Sequence, residues 1–136
     1  MPEWIPTAGQ TFLVPSGTSG NHLFVILNNP DDFSDYGYGK QLCIVSVNFT
    51  TLHLNNPHDN ACIVNAGEHP FISRDSYVRY RDARLDPVEH VKKMVNSGTW
   101  PLQEPASVQL LQKLRLGLQA SKFAQRDYKK MLAGLN

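Results

Sequence analysis

The spacing of hydrophobic positions along this chain changes near residue 85. Before that point they come in short, nearly unbroken runs; after it they recur at three- and four-residue intervals. Gln10–Pro15 reads as a short extended run, with Pro15 marking an end or an edge because it cannot donate a ladder hydrogen bond. Ser16–Asn21 (SGTSGN) reads as a flexible turn. His22–Asn28 and Gln41–Phe49 are too continuously apolar to keep one face in water, so both are predicted as buried strands. Between them, Asn29–Lys40 mixes turn formers with acids and aromatics, the composition of a long loop. Thr50–Asn60 is a second loop, Ala61–Asn65 a third short strand, and Ala66–Asp75 a bend-rich segment. Ser76–Arg81 alternates, which predicts a half-exposed strand with Tyr77, Arg79 and Arg81 on one face and Val78 and Tyr80 on the other.

The remainder has helical spacing. Asp86-Pro87-Val88-Glu89 offers an N-cap, a proline at the first helical position and a glutamate two residues later. Val88, Val91 and Val95 then form an apolar stripe, and Gly98 supplies a stop. A second helix starts near Glu104-Pro105 with Val108, Leu111, Leu114 and Leu118 on one face. Ser121 either caps a third helix or lies within a longer second one. The pattern predicts a single α+β domain over residues 1–136. A small SH3-like β-barrel or a strongly bent antiparallel sheet occupies about residues 1–85, and two or three C-terminal helices occupy about 86–136.

Composition narrows the class. With 41% apolar and 18% charged residues in 136, the chain suits one globular domain and excludes a disordered tail, a collagen-like repeat or a disulfide-dense mini-protein. No apolar run approaches the roughly 20 residues needed to cross a bilayer, and MPEWIPTAGQ has neither a basic start nor an apolar stretch. A cytoplasmic location is the expectation, with no membrane partner and with Cys43 and Cys62 as thiols. The formal net charge of +1 conceals an asymmetry: residues 1–68 set Lys40 alone against six acids, whereas residues 69–136 set twelve Lys and Arg against six. Such a split points either to an anionic partner or to surface charge following local structure.

Three groupings carry candidate chemistry. Cys43, His53, His58 and Cys62 lie within a twenty-residue window and are zinc-type ligands, though the cysteines sit among Leu, Ile and Val, where a thiol is simply a small buried hydrophobe. The second, His69 to Tyr80, gathers His69, Ser73, Arg74, Ser76, Tyr77 and Arg79 at a turn-to-strand junction. Histidine is the natural acid or base near neutral pH, arginine binds phosphate in a forked geometry, and rings beside basic groups suit single-stranded nucleic acid. The same residues could instead make turn hydrogen bonds and pack. The third is His22, opening a buried strand directly after a polar loop. If its strand and the next long one are antiparallel neighbours, His22 comes near Thr50 and Thr51; otherwise it is a partly buried histidine bonded to a loop carbonyl. The segment Ser16–Gly20 lacks the lysine and following helix of a phosphate-binding loop.

The order of these features resembles the PemK/MazF-type toxin superfamily. The matching pieces are Ala8–Val14, a flexible loop, His22–Leu27, Cys43–Thr51 ending in hydroxyl groups, and Glu68–Ile72 leading into Ser76-Tyr77-Val78. The likeness covers about the first 85 residues and is one of layout. This chain has His22 where the family usually has an arginine, and Val47-Asn48-Phe49-Thr50 where the family often has a Pro-Ile-Thr style strand end. The resemblance implies a bacterial or phage-like toxin–antitoxin ribonuclease on an SH3-like barrel, a hydrolase cutting single-stranded RNA under the control of an antitoxin protein. It implies His22 as base or acid, Thr50 or Thr51 on the scissile phosphate, and His69 or Arg79 as the second proton or charge partner, with no metal or other cofactor. The alternatives are a non-catalytic nucleic-acid or protein binding module on a similar barrel, and a zinc-stabilised domain. The C-terminal helices could cover the sheet, form a homodimer surface or dock the partner.

Overall fold

A computed structural model describes residues 3–17 and 20–135; of the turn expected over Ser16–Asn21, Thr18 and Ser19 lie outside the described residues. The chain is α+β, an antiparallel sheet with three helices toward its C-terminus. The strands are β1 (Thr11–Pro15), β2 (Asn21–Ile26), β3 (Asp31–Asp32), β4 (Leu42–Thr51), β5 (Ile63–Val64), β6 (Ser76–Val78), β7 (Arg84–Pro87) and β8 (Leu102–Gln103). The helices are α1 (Val88–Asn96), before β8, then α2 (Val108–Ala120) and α3 (Arg126–Met131).

The ten-residue β4 is the spine. Cys43 pairs with Asp31 of β3 on one edge and Pro87 of β7 on the other, and Ser46 pairs with Ile26 of β2 and Arg84 of β7. The main path runs β5-β6-β4-β2-β1-β8, and the end strands β5 and β8 are not hydrogen-bonded to each other. Of the two expected forms, the antiparallel sheet is present and open, and the SH3-like barrel is the one corrected. Closure would remove the edges and bury one face; here packed helices and loop residues cover both faces of an open sheet.

Side-chain alternation along β2 and β4 feeds two cores. Leu23, Val25, Cys43, Val45, Val47 and Phe49 meet Leu110, Leu114, Leu118, Tyr128 and Leu132 from α2 and α3. Phe24, Ile26 and Ile44 point the other way, onto Phe12, Val88, Val91 and Trp100. Because both faces are covered, β2 and the first half of β4 read as continuous hydrophobic runs, whereas Ser46, Asn48 and Thr50 interrupt the second half of β4 at every other position. The smaller core is built on rings: Phe12 stacks on Trp100 at 5.1 Å and on Phe24 at 6.0 Å. Arg84 lies over Trp100 (4.9 Å) and Phe24 (5.5 Å), its position fixed by a 3.2 Å contact to Asp86.

Several local expectations shift. Asp86 is not a helix cap: β7 runs on to Pro87, which is itself the N-cap residue, and the Asp86 side chain is buried beside Arg84. The loop after β2 contains the two-residue β3 and a short 3-10 turn, Ser34–Tyr36, started by Asp32 accepting from the Ser34 N–H. That bond holds the Asp32 carboxyl below its usual range. On α2 the buried stripe is Leu110, Leu114, Gly117 and Leu118, while Val108 is exposed. Ser107 caps this helix by accepting from the Leu110 N–H.

Candidate active site

The ladder between β2 and β4 runs only from Ile26–Ser46 to Phe24–Asn48. Continued, it would set His22 opposite Thr50. Instead the start of β2 stays paired with β1, with His22 opposite Val14, while the last residues of β4 pair with β6 on the other edge, Thr50 with Tyr77 and Thr51 with Ser76. The two strands part, and a cleft of about 650 Å³ opens between them.

Its chemistry comes from four places: His22 of β2, Thr50 and Thr51 of β4, His53 just beyond, and Ser73 and Arg74 of the turn before β6. No carboxylate lines it. Thr51 pairs with Ser76 and shares its face; Thr50 pairs with Tyr77, and its Oγ1 is buried with no hydrogen-bond partner among the described residues. Ser76 also lines the cleft, but its hydroxyl already donates to the Arg74 carbonyl at 2.8 Å. Phe71, Ile72 and Leu23 form the apolar part of the wall.

His69 is not among the lining residues. It is buried, its Nδ1 accepts from the Phe71 N–H at 3.0 Å, and its Nε2 donates to the Glu104 carbonyl. With both ring nitrogens engaged, His69 ties the turn Phe71–Arg74 to the segment before α2. The second histidine that the cleft holds is His53, to which the sequence reading gave a role only as a zinc ligand although it follows Thr50 and Thr51 at the strand end.

Tyr77 and Arg79 fall elsewhere. Side chains alternate along β6, so Ser76 faces the cleft while Tyr77 faces a separate cavity of about 220 Å³. The strand expected over Ser76–Arg81 is corrected: β6 ends at Val78, which is fully buried, and a 3-10 turn over Tyr80–Asp82 brings Arg81, and Tyr80 of the face expected to be opposite, to the cavity that Tyr77 and Arg79 line. His58, Asp59 and Phe123 complete its wall.

The zinc alternative is corrected. Cys43 lies near the start of β4 and His53 beyond its end, so about 25 Å of extended strand separates them. Among the described residues no group of three or more His, Cys, Asp and Glu side chains comes together to hold a metal ion. Both thiols are buried, and burial pushes each up from its ordinary value, the opposite of what ligation or nucleophilic attack requires. Among the described residues no helix is long and apolar enough to cross a membrane.

No family model, curated protein or solved structure matches the chain.

Proposed function

We propose that the cleft is the active site of a metal-independent endoribonuclease that cuts single-stranded RNA. The observation that carries this reading is the composition of the cleft lining: two histidines, Thr51 and an arginine, with no carboxylate among the described lining residues to repel a phosphate. His22 or His53 takes the proton of an RNA 2′-hydroxyl as its oxygen bonds to the adjacent phosphorus. The other histidine gives a proton to the departing 5′-oxygen as the P–O5′ bond breaks. The products are a 2′,3′-cyclic phosphate and a free 5′-hydroxyl, and no cofactor is consumed. Arg74 faces the charge that develops on the phosphate, and the hydroxyl of Thr51, on the same face of the ladder as Ser76, donates to a non-bridging oxygen. This is the activity of PemK/MazF-type toxins, and with it goes control by an antitoxin protein that occupies or distorts the cleft.

The test is cleavage of a single-stranded RNA in the presence of chelator. Wild type should release 2′,3′-cyclic phosphate ends, and His22→Ala and His53→Ala should each lose about 10²- to 10⁴-fold in rate. Undiminished cleavage by both variants, or no cleavage by wild type, overturns the reading.

A further inference from the structure

The cavity on the outer side of β6 has features that the cleft lacks. Its walls are rings: Tyr77, with His58 tilted against it at 5.3 Å, and Phe123, half exposed at 50%. Tyr80, fully buried, underlies it, with its hydroxyl anchored to the Leu114 carbonyl at 2.8 Å. At about 220 Å³ it is smaller than the roughly 300 Å³ at which sites for drug-sized ligands begin, the scale of one planar ring system.

Two guanidiniums reach it, and they are not equivalent. Arg79 is held by Asp82 at 3.1 Å. Arg81 has no carboxylate partner among the described residues and rests over the Phe123 ring at 5.5 Å, which fixes the guanidinium while leaving its N–H edge open. Lys122 lies in an adjoining depression that shares His58, Asp59 and Phe123 with the cavity. His58 donates through Nδ1 to the Asn56 carbonyl, leaving Nε2 without a protein partner.

Phe123 is also held in place from beneath. Asp59, buried, accepts from the Ala61 N–H at 2.9 Å and from the Ser121 hydroxyl at 2.6 Å. The same Ser121 oxygen accepts from the N–H groups of Phe123 (3.0 Å) and Ala124 (3.2 Å). An exposed aromatic whose backbone is pinned in this way is partly pre-organised, which lowers the ordering cost of binding. Rings to stack on, with a free cation beside them, recognise a nucleobase that carries phosphate.

We propose that this cavity takes one unstacked nucleobase of a single-stranded RNA, stacked against Tyr77 and Phe123, with its phosphate on Arg81. The proposal deepens the ribonuclease reading and rests on it for the identity of the strand. Ser76 and Tyr77 are consecutive and face the two depressions, so a strand crossing β6 engages both.

The experiment measures binding without cleavage. A fluorescent 2′-O-methyl RNA hexamer, which lacks the attacking hydroxyl, is titrated against the intact chain by anisotropy. Phe123→Ala and Arg81→Ala should weaken binding roughly five- to a hundredfold, whereas Phe123→Trp, which restores a ring, should retain it. Replacing one base of the hexamer with an abasic linker should weaken wild type at one register and leave Phe123→Ala indifferent. A mononucleotide run in parallel separates the sources: the hexamer binding much more tightly identifies a strand, and equal affinity identifies a free nucleotide, which overturns the strand assignment. Affinity for the hexamer unchanged in both alanine variants overturns the site. Because the probe cannot be cut, wild type that binds it but cleaves no RNA tells against the cleft alone.

Discussion

The two depressions flanking β6 differ in how their side chains are held, and the difference separates reaction from recognition. The cleft gathers groups that move protons or oppose charge, presented from a gap where two strands part company. The cavity gathers rings, and its lining is anchored: Tyr80 to α2, Phe123 through Ser121 to Asp59, Arg79 to Asp82. Reacting groups need space and adjustable protonation; a base-stacking site needs fixed planes. One strand provides both because its side chains alternate.

The charge asymmetry of the chain sharpens in the same way. Four of the twelve Lys and Arg in residues 69–136 are paired locally, Arg79 with Asp82, Arg84 with Asp86, Lys92 with Glu3 and Glu89, and Lys113 with Glu68. Arg74 in the cleft and Arg81 at the cavity, with Lys122 beside it, have no such partner among the described residues.

The strongest way to break the comparison is in the cleft. His22→Ala should lower RNA cleavage by about 10²- to 10⁴-fold. The variant should still bind the uncleavable hexamer within a few-fold of wild type. A matched loss of affinity would mean that His22 binds rather than reacts, and the division between the two depressions would collapse.

Next comes the packing beneath the cavity. A side chain on Gly117 would collide with the Tyr80 hydroxyl and come within 2.8 Å of Cys62 Cβ. At a roomy helical site, Gly→Ala stabilises by up to about 1 kcal/mol. Here the clash wins, because Tyr80 is buried and its hydroxyl is tied to Leu114, so it cannot swing aside. Gly117→Ala should cost about 1–3 kcal/mol in urea denaturation. Hexamer binding should suffer more than cleavage per folded molecule, since Tyr80, which the clash displaces, lines the cavity and not the cleft.

These positions also show what the sequence made legible. The strands β2, β4 and β6 are plain because their apolar runs are long or alternate cleanly, and the meeting of His22 with Thr50 and Thr51 in one cleft follows from strand order alone. The two-residue strands β3 and β8 carry no periodicity; they exist only because a neighbouring strand edge pairs them. Asp86-Pro87-Val88-Glu89 imitates a helix start, yet pairing with β4 carries the strand through Asp86 and Pro87. Gly117 contributes to the buried stripe by having no side chain, so hydrophobic spacing cannot register it. The cavity was half visible: the Tyr77–Arg79–Arg81 face was readable, but Asp59 and Phe123 meet it only through a contact between residues 62 apart.

A smaller effect tests the cavity floor by itself. Tyr80→Phe keeps the ring and removes only the bond to the Leu114 carbonyl, so unfolding free energy should drop by about 0.5–1.5 kcal/mol. The hexamer should bind as before, because the stacking surface is unchanged. If affinity falls with stability, the hydroxyl is part of the recognition surface and not merely its anchor.

The smallest effect concerns the link between the two regions. Glu68 closes the turn that leads into the cleft wall, accepting from the Asn65 N–H at 2.6 Å, and also pairs with Lys113 of α2 at 2.9 Å. Partial burial works against the charged carboxylate, but the Asn65 N–H and the Lys113 ammonium outweigh it and hold Glu68 below its ordinary range. A carboxylate lowered in the folded state contributes stability above its unfolded value, about 4.3, and loses it as the pH falls through the lower folded value. Both side chains are partly solvated, so the pair is worth about 0.2–1 kcal/mol. Glu68→Gln should therefore be less stable than wild type by that amount at pH 7, and the two curves should converge as the pH drops below about 4. Raising the salt at pH 7 should shrink the gap as well. A gap that persists at low pH would assign the effect to the shape of the turn, leaving the cleft and the cavity energetically uncoupled through this pair.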